Sequence, residues 1–442
     1  MNTKIRNNQI YISAEYILPK CGLANYLEMI ADSFRQYHGE MEIDVKTVNN
    51  FWEIQYDLLN EKEIVELSKS FSALSLRKKI RYIIRLLTPV SMRPAGDRIY
   101  RKVKAFIKKV IPEKLNDLIV YHLSHHKKNC KFWKNIDDES IVLLPHVPLA
   151  NAVLPYFNEL VKKKLIWIIH DLHPFYFRDA WSEEALKICD NFLPVMAKKA
   201  QHIIVHNDFT KKSVIEYLGV TEDKITVIRL PYIIDTELFD NSKDETVLQR
   251  YGIIKPYALW ASSSTIVHKN HERLINAWYK INYELNIPIQ LVCTGSREPN
   301  WESIKLLLEK YGAKVNVIFT GTIEKSDLMN ILFNAEMAVC PTLFEGGGCG
   351  PAMEATMAGI PVACSDIPQI REQYNNRSDL CEFFNPYDCN SIASAVEKIF
   401  KNKNAYQKKS YKAMQWLKNN RTWKNVADDY CCVLENCFGR NN

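Results

Sequence analysis

The sequence predicts an α/β protein built as two doubly wound parallel domains. Short β-branched runs alternate with helical patterns along the chain, and several of those runs are continuously apolar, as strands covered on both faces are. A polar stretch near Leu230–Lys243 divides the alternation into two halves. In the first half the expected strands are Gln9–Ala14, Glu42–Val48, Ile141–His146, Leu165–His170, Ile203–His206 and Ile225–Leu230. In the second they are Tyr257–Ala261, Ile289–Thr294, Val315–Thr320, Met337–Pro341, Pro361–Ser365 and Cys381–Phe384. Helical periodicity fills the intervals, for example Glu272–Glu284 and Lys325–Asn334, and Tyr411–Phe438 reads as helix without a strand.

Length and composition agree with this division. A chain of 442 residues suits about two domains. Its 47% hydrophobic and 25% charged residues exclude a collagen-like, low-complexity or largely disordered protein. The twelve cysteines form no C-x-x-C pair, and several sit inside apolar runs such as Leu291–Cys293, where a thiol behaves as a small hydrophobe. Free thiols in a reducing compartment are therefore expected. The N-terminus is polar and does not read as a signal peptide. The most apolar window, Ile141–Phe157, is interrupted by Pro145, His146, Pro148, Asn151 and Pro155, so it is no membrane span. The expected location is cytoplasmic, free or attached to the inner face of the cytoplasmic membrane.

Charge is unevenly placed. The segment Arg77–Lys134 carries seventeen Lys/Arg against three Asp/Glu, a net of +14 in a chain whose total is +7. Ile80, Ile83, Ile84 and Leu87, then Val103, Phe106, Ile107 and Val110, recur at helical spacing among those cations. Such stripes suit helices lying on an anionic membrane surface, and equally helices packed on the first domain with basic faces in solvent. Nucleic acid is not an expected partner, because no aromatic-interleaved motif accompanies the charge.

In open α/β sheets, ligands bind beyond the carboxyl ends of strands, and the chemistry-bearing residues lie there. Pro341–Ala355 follows a strand and contains Glu345, Gly346, Gly347, Gly348, Gly350 and Glu354. Glycines at a helix start let backbone N–H groups approach an anion, and a carboxylate such as Glu354 accepts paired hydrogen bonds from vicinal hydroxyls. One loop could thus hold a phosphate and a sugar; the bland alternative is a glycine-rich turn with solvated glutamates. Lys269, at a second strand–helix junction, could offset phosphate charge. His170 ends an apolar strand, a position more often structural. Asn207 or Asp208 reads as a helix cap. A G-x-G-x-x-G after a first strand and a P-loop motif are both absent, against a dehydrogenase and a P-loop nucleotidase.

At Glu345–Ala355 and Ala358–Pro368 the sequence resembles the retaining family 4 glycosyltransferases of GT-B fold, whose pattern is Glu-Gly-aromatic-Gly-x-Pro-x-x-Glu-Ala followed by a helix and a G-x-P-V strand. The resemblance departs at one point: eight residues, not seven, separate Glu345 from Glu354. It implies two Rossmann-like domains facing a cleft, with a C-terminal helix crossing back. The implied boundaries are 1–235 for the acceptor-side domain with a basic helical insertion at about 65–135, 236–415 for the nucleotide-sugar domain, and 416–442 for the terminal helix. It also implies catalytic roles for His170, Glu345 and Lys269. Donor contacts would come from Gly22, Ser263, Lys269, Ile323, Gly346, Gly347, Gly348 and Glu354. Ser263 stands where relatives carry arginine, Gly22 in a glycine loop, and Ile323 in a loop that meets the base through backbone. The implied activity is metal-independent transfer of a hexose, with mannose the first choice, from a GDP- or UDP-linked donor to a glycan or lipid-linked acceptor in polysaccharide or O-antigen assembly. No cofactor is implied. A nucleotide-sugar epimerase and a catalytically inactive partner subunit are the alternative readings on the same fold.

Overall fold

Apolar runs without a polar break form the strands of two six-stranded sheets. The computed structural model describes residues 10–13, 22–38, 45–48, 134–145, 147, 159–231, 244, 246–263, 267–296 and 301–438. The basic insertion read at about 65–135 lies almost wholly outside these residues. The chain divides into two compact units. The first comprises Met1–Val205, Lys211–Thr226 and Ala427–Asn442, and the second His206–Thr210 and Val227–Val426. This boundary falls several residues before position 235, and the return to the first unit comes at 427 rather than 416.

In the first unit the strands are β1 (Ile10–Ser13), β2 (Val45–Val48), β3 (Ile141–Leu144), β4 (Lys164–Ile169), β5 (His202–Val205) and β6 (Ile225–Val227), in the order β2-β1-β3-β4-β5-β6. The pairs recorded from β2 through β5 are parallel. All four β3 residues and Leu165–Ile169 of β4 are fully buried, so these central strands need helices on both faces. Helix α1 (Gly22–Tyr37) supplies part of that cover: Tyr26, Ile30, Ala31 and Phe34 are its buried face, at helical spacing. Helices α2 (Glu183–Asn191) and α3 (Leu193–Lys199) follow β4, and Ser182 caps α2 by accepting from the Ala185 N–H. Helix α4 (Asp208–Leu218) follows β5; its first turn to Thr210 belongs to the second unit and its remainder from Lys211 to the first.

The second unit holds β7 (Tyr257–Ala261), β8 (Gln290–Thr294), β9 (Val317–Gly321), β10 (Met337–Cys340), β11 (Val362–Ser365) and β12 (Glu382–Phe384), all parallel, in the order β12-β11-β10-β7-β8-β9. From the β9 edge this is the dinucleotide-fold order 3-2-1-4-5-6, and its direction reverses between β7 and β10. The covering helices are α5 (His271–Tyr279), α6 (Trp301–Tyr311), α7 (Lys325–Phe333), α8 (Gly350–Met357), α9 (Pro368–Gln373), α10 (Cys389–Lys401) and α11 (Lys403–Asn420). Cys293, Cys340 and Cys364 lie in strands as buried thiols, and burial pushes the Cys293 and Cys364 thiols up, away from thiolate chemistry.

Several element ends differ from expectation. The run Ile225–Leu230 stops pairing at Val227, and the Ile228 carbonyl accepts from His206 Nδ1 at 2.9 Å instead. The pattern Glu272–Glu284 is α-helical only to Tyr279 and finishes as a π turn, Lys280–Glu284. The expected helix Tyr411–Phe438 is broken after Asn420, and α12 (Trp423–Phe438) restarts where Thr422 Oγ1 accepts from the Asn425 N–H at 3.1 Å.

Within the first unit, α12 docks on α1. The Tyr26 and Tyr430 hydroxyls meet at 2.8 Å, the Phe34 and Tyr430 rings cross edge to face with centroids 6.1 Å apart, and His38 Nε2 lies 3.0 Å from Asp428 Oδ1. Tyr430 is fully buried. Removing its ring leaves a cavity and takes away the hydroxyl that meets Tyr26, so Tyr430→Ala should lower stability by about 3–5 kcal/mol. Urea unfolding followed by tryptophan fluorescence checks this; an unchanged midpoint would mean that α12 does not brace α1.

Candidate active site

The second sheet reverses direction between β7 and β10, and the loops leaving those two strands carry the candidate residues. After β7 the chain reaches a 3₁₀ turn, Val267–Lys269. Asn270 follows with φ +62°, a left-handed conformation that asparagine tolerates better than most residues. Its buried carboxamide donates from Nδ2 to the Pro341 and Pro386 carbonyls, each at 2.9 Å, while Oδ1 accepts from Arg273 Nη1 at 2.6 Å. The Leu343 N–H donates to the His268 carbonyl at 2.7 Å. The loop after β10 is thereby stitched to the turn after β7. Lys269 Nζ then lies 2.6 Å from Glu345 Oε1, with both side chains largely buried.

The glycines follow directly. The Gly346 carbonyl accepts from Asn207 Nδ2. A Cβ at Gly347 would stand 2.4 Å from Leu230 Cδ1 and 3.3 Å from His206 Cδ2, so a larger residue there would have to push the Leu230 side chain aside. Gly348 takes φ +127°, outside the range of side-chain-bearing residues. Cys349 precedes α8, and its N–H donates to Gln373 Oε1 at 2.5 Å. Burial pushes the His206 imidazole down to about 4, so it is neutral at pH 7 and its Nδ1–H donates to the Ile228 carbonyl.

Glu354 sits in α8 beside a small apolar recess formed with Leu259, Ala261, Leu328, Leu332, Ala338 and Pro351. Desolvation there raises its carboxyl above the ordinary range, offset in part by Lys325. Such a carboxylate, poorly hydrated and partly open, gains from any pair of hydroxyl donors that reaches it.

The loops after β7, β8 and β9 are tied together. Ser263 Oγ donates to the Ser296 carbonyl at 3.0 Å, and the Gly295 N–H donates to the Gly321 carbonyl at 2.8 Å. Ile323, in the loop after β9, packs its half-buried side chain on the core. The structure thus gathers Ser263, Lys269, Ile323, Glu345, Gly346, Gly347, Gly348 and Glu354 at the carboxyl edge of one sheet. Gly22 and His170 belong to the first unit. Gly22 begins α1, and His170 follows β4 with its ring edge-on to Tyr26, centroids 5.3 Å apart. Asn207 does cap α4, its Oδ1 accepting from the Thr210 N–H at 2.7 Å. Asn270 and Gln373 escaped the sequence reading; for Asn270 the available signal was an asparagine directly before a helix start.

Among the described residues, no group of three or more His, Cys, Asp or Glu is arranged to hold a metal ion, and no helix is long and apolar enough to cross a membrane.

Residues 245–416 match the family described as glycosyl transferases group 1. The chain is 23% identical over 279 residues to the O-antigen chain mannosyltransferase B of Escherichia coli, a match spanning 62% of this chain and 69% of that protein. It is 25% identical over 271 residues to the serotype-specific mannosyltransferase WbdA of Escherichia coli, spanning 60% of this chain and about a third, 32%, of WbdA. Among solved structures, Anabaena HepE in complex with UDP and glucose superimposes with a TM-score of 0.63 at 12% identity, covering 97% of this chain and 100% of that one. Sucrose-phosphate synthase from Thermosynechococcus elongatus gives 0.63 at 14% identity, covering 97% and 98%. These likenesses establish the GT-B fold. Residues 245–416 form a glycosyl transferases group 1 domain, and the chain is a glycosyltransferase.

Gly295 tests the loop packing. At φ +98°, with a Cβ that would stand 2.9 Å from both Cα and N of Ser263, Gly295→Ala combines backbone strain with a clash against main chain. Strain of that kind costs about 1–3 kcal/mol. The variant should show a lowered urea midpoint, and a wild-type midpoint would mean that the Ser262–Ser263 loop moves freely.

Proposed function

We propose that this glycosyltransferase is a retaining, metal-independent hexosyltransferase that moves mannose from GDP-mannose to a glycan or lipid-linked saccharide during assembly of a cell-surface polysaccharide. The observation that carries the reading is the Lys269–Glu345 pair at the β7/β10 switch point, directly before the glycine loop and nine positions before Glu354. The mannosyltransferase relatives support the sugar.

In this reading the ribose hydroxyls bond to the Glu354 carboxylate, while Lys269 and glycine-loop N–H groups face the diphosphate. Lys269 exchanges its bond to Glu345 for one to phosphate, which frees the Glu345 carboxylate for the donor sugar. The reading also assigns Gly22 and His170 to the reacting end, His170 by orienting the hexose. Ser263 adds a hydroxyl, and the backbone at Ile323 meets the base. The acceptor hydroxyl attacks the anomeric carbon on the face the diphosphate leaves; the C–O bond to phosphate breaks, and the acceptor proton passes to a phosphate oxygen. The protein contributes positioning and charge stabilisation.

Donor binding and turnover test the reading together. Glu354→Ala should weaken GDP-mannose binding about tenfold, the loss of a charge-assisted hydrogen-bond partner. Lys269→Ala should lower kcat/KM about a hundredfold. Only the carboxylate form of Glu354 accepts both hydroxyls, so donor affinity should fall as pH drops through its raised value, and Glu354→Gln should abolish that limb. Activity should survive EDTA. Tighter binding of UDP-glucose than GDP-mannose would overturn the choice of base and sugar. An epimerised sugar formed from donor alone would replace transfer with epimerisation, and folded protein that binds donors without turnover would mark an inactive partner subunit.

The reading extends to a membrane surface for the Arg77–Lys134 segment, with its net +14. Each basic residue near anionic lipid contributes about 1 kcal/mol, weakened by salt. The protein should float with anionic vesicles at low salt and be released at high salt; equal, salt-insensitive behaviour with neutral vesicles would leave the segment a solvated insertion.

A further inference from the structure

The glycine loop has no side chain of its own between Glu345 and Cys349, so the backbone there has more freedom to lose on ordering than any other stretch of the site. Two carboxamides from elsewhere in the same unit hold it. Asn207, 3% exposed, donates from Nδ2 to the Gly346 carbonyl while its Oδ1 caps α4 through the Thr210 N–H. Gln373, 7% exposed at the end of α9, engages both backbone groups of Cys349: Oε1 accepts from the N–H at 2.5 Å and Nε2 donates to the carbonyl at 3.2 Å. Glu372, the neighbour of Gln373, accepts from the Asp208 and Phe209 N–H groups at 2.6 and 3.0 Å, which locks the first turn of α4 to α9. The two anchors are therefore braced against each other, and Gly347 and Gly348 are strung between them.

We propose that Asn207 and Gln373 are positioning residues for glycosyl transfer, fixing the two ends of the donor loop so that its N–H groups and Glu345 stand ready for the nucleotide sugar. The inference rests on the donor site proposed above and adds to it two residues outside the glycine–glutamate motif. In this proposal each acts through the loop backbone that it holds. Capping alone would make Asn207 a stability residue. The bond from Nδ2 to Gly346 gives it a second task, which chemistry separates from the first. Aspartate caps a helix as well as asparagine does, but it has no N–H to offer the Gly346 carbonyl and sets an oxygen against it. Gln373→Glu likewise keeps the acceptor for the Cys349 N–H and loses the donor.

The test compares Asn207→Asp and Asn207→Ala with wild type in the full chain, by unfolding midpoint, by steady-state kinetics and by amide hydrogen exchange. Asn207→Asp should unfold later than Asn207→Ala because the cap survives. It should nonetheless match Asn207→Ala in lost turnover, about tenfold in kcat, with a smaller change in donor KM. Exchange at Gly346, Gly347 and Gly348 should quicken about tenfold in Asn207→Asp and in Gln373→Glu, while the α4 amides stay as in wild type. Wild-type kcat in Asn207→Asp, or unchanged exchange across the loop, would overturn the proposal. The exchange readout needs no substrate, so absence of donor binding by the wild-type chain sinks the donor reading separately, while the loop's anchoring is still measured. Should Asn207→Asp fail to fold, Gln373→Glu alone decides, since it leaves the α4 cap intact.

Discussion

The side chain of Asn270 is the constraint on which the candidate site depends. Its carboxamide satisfies two carbonyls, Pro341 after β10 and Pro386 after β12, and receives the Arg273 guanidinium. A buried amide with all three partners is stable, and one with any partner missing is costly. The network therefore has a single comfortable arrangement. That arrangement brings the turn ending in Lys269 against the loop beginning at Pro341, and the Lys269–Glu345 contact follows from it. The left-handed backbone of Asn270 belongs to the same device, turning the chain from a 3₁₀ turn into α5 within one residue.

The ion pair itself adds little to stability. Two largely desolvated charges recover by attraction about what their burial costs, so such pairs are weak stabilisers. Under the proposed function its meaning is chemical: a cation held close to the sheet edge, beside a glycine-rich backbone, is placed to exchange its carboxylate for the phosphate of a donor. Glu354 occupies the opposite regime. Apolar neighbours raise its carboxyl, and its remaining exposure gives polar hydroxyls a way in. A charge pair and an underhydrated carboxylate, one loop and half a helix apart, give the edge of the second sheet two unlike ends.

The glycine loop follows the same economy of side chains. Gly347 admits Leu230 and His206 against its backbone, and Gly348 adopts a φ closed to other residues. The conformational freedom that makes both possible is removed by partners far away in sequence, Asn207 and Gln373. Local permissiveness with distant restraint lets a loop approach a ligand without being loose.

The sequence by itself determined the two α/β sheets, because continuous apolar strands and amphipathic helices are local periodicities. It also marked the loops that carry the candidate residues, because glycines, Lys269, Glu345 and Glu354 follow strand ends, the place where parallel sheets bind ligands. It marked Asn207 or Asp208 as a cap, and the contact three residues long belongs to Asn207. Tertiary structure alone decided the rest. The reversal between β7 and β10 requires strand order, which no local pattern encodes. The second bond of Asn207, to a residue 139 positions away, and the grip of Gln373 on Cys349 both depend on elements that meet only after the sheet has formed. The break at Arg421–Thr422 was missed because helical periodicity runs through it, and the threonine that restarts the helix declares itself only by its bond to the Asn425 N–H. Periodicity reports which face a residue turns inward; it carries no information about which distant backbone group a buried amide will find there, and that pairing fixes the geometry of this site.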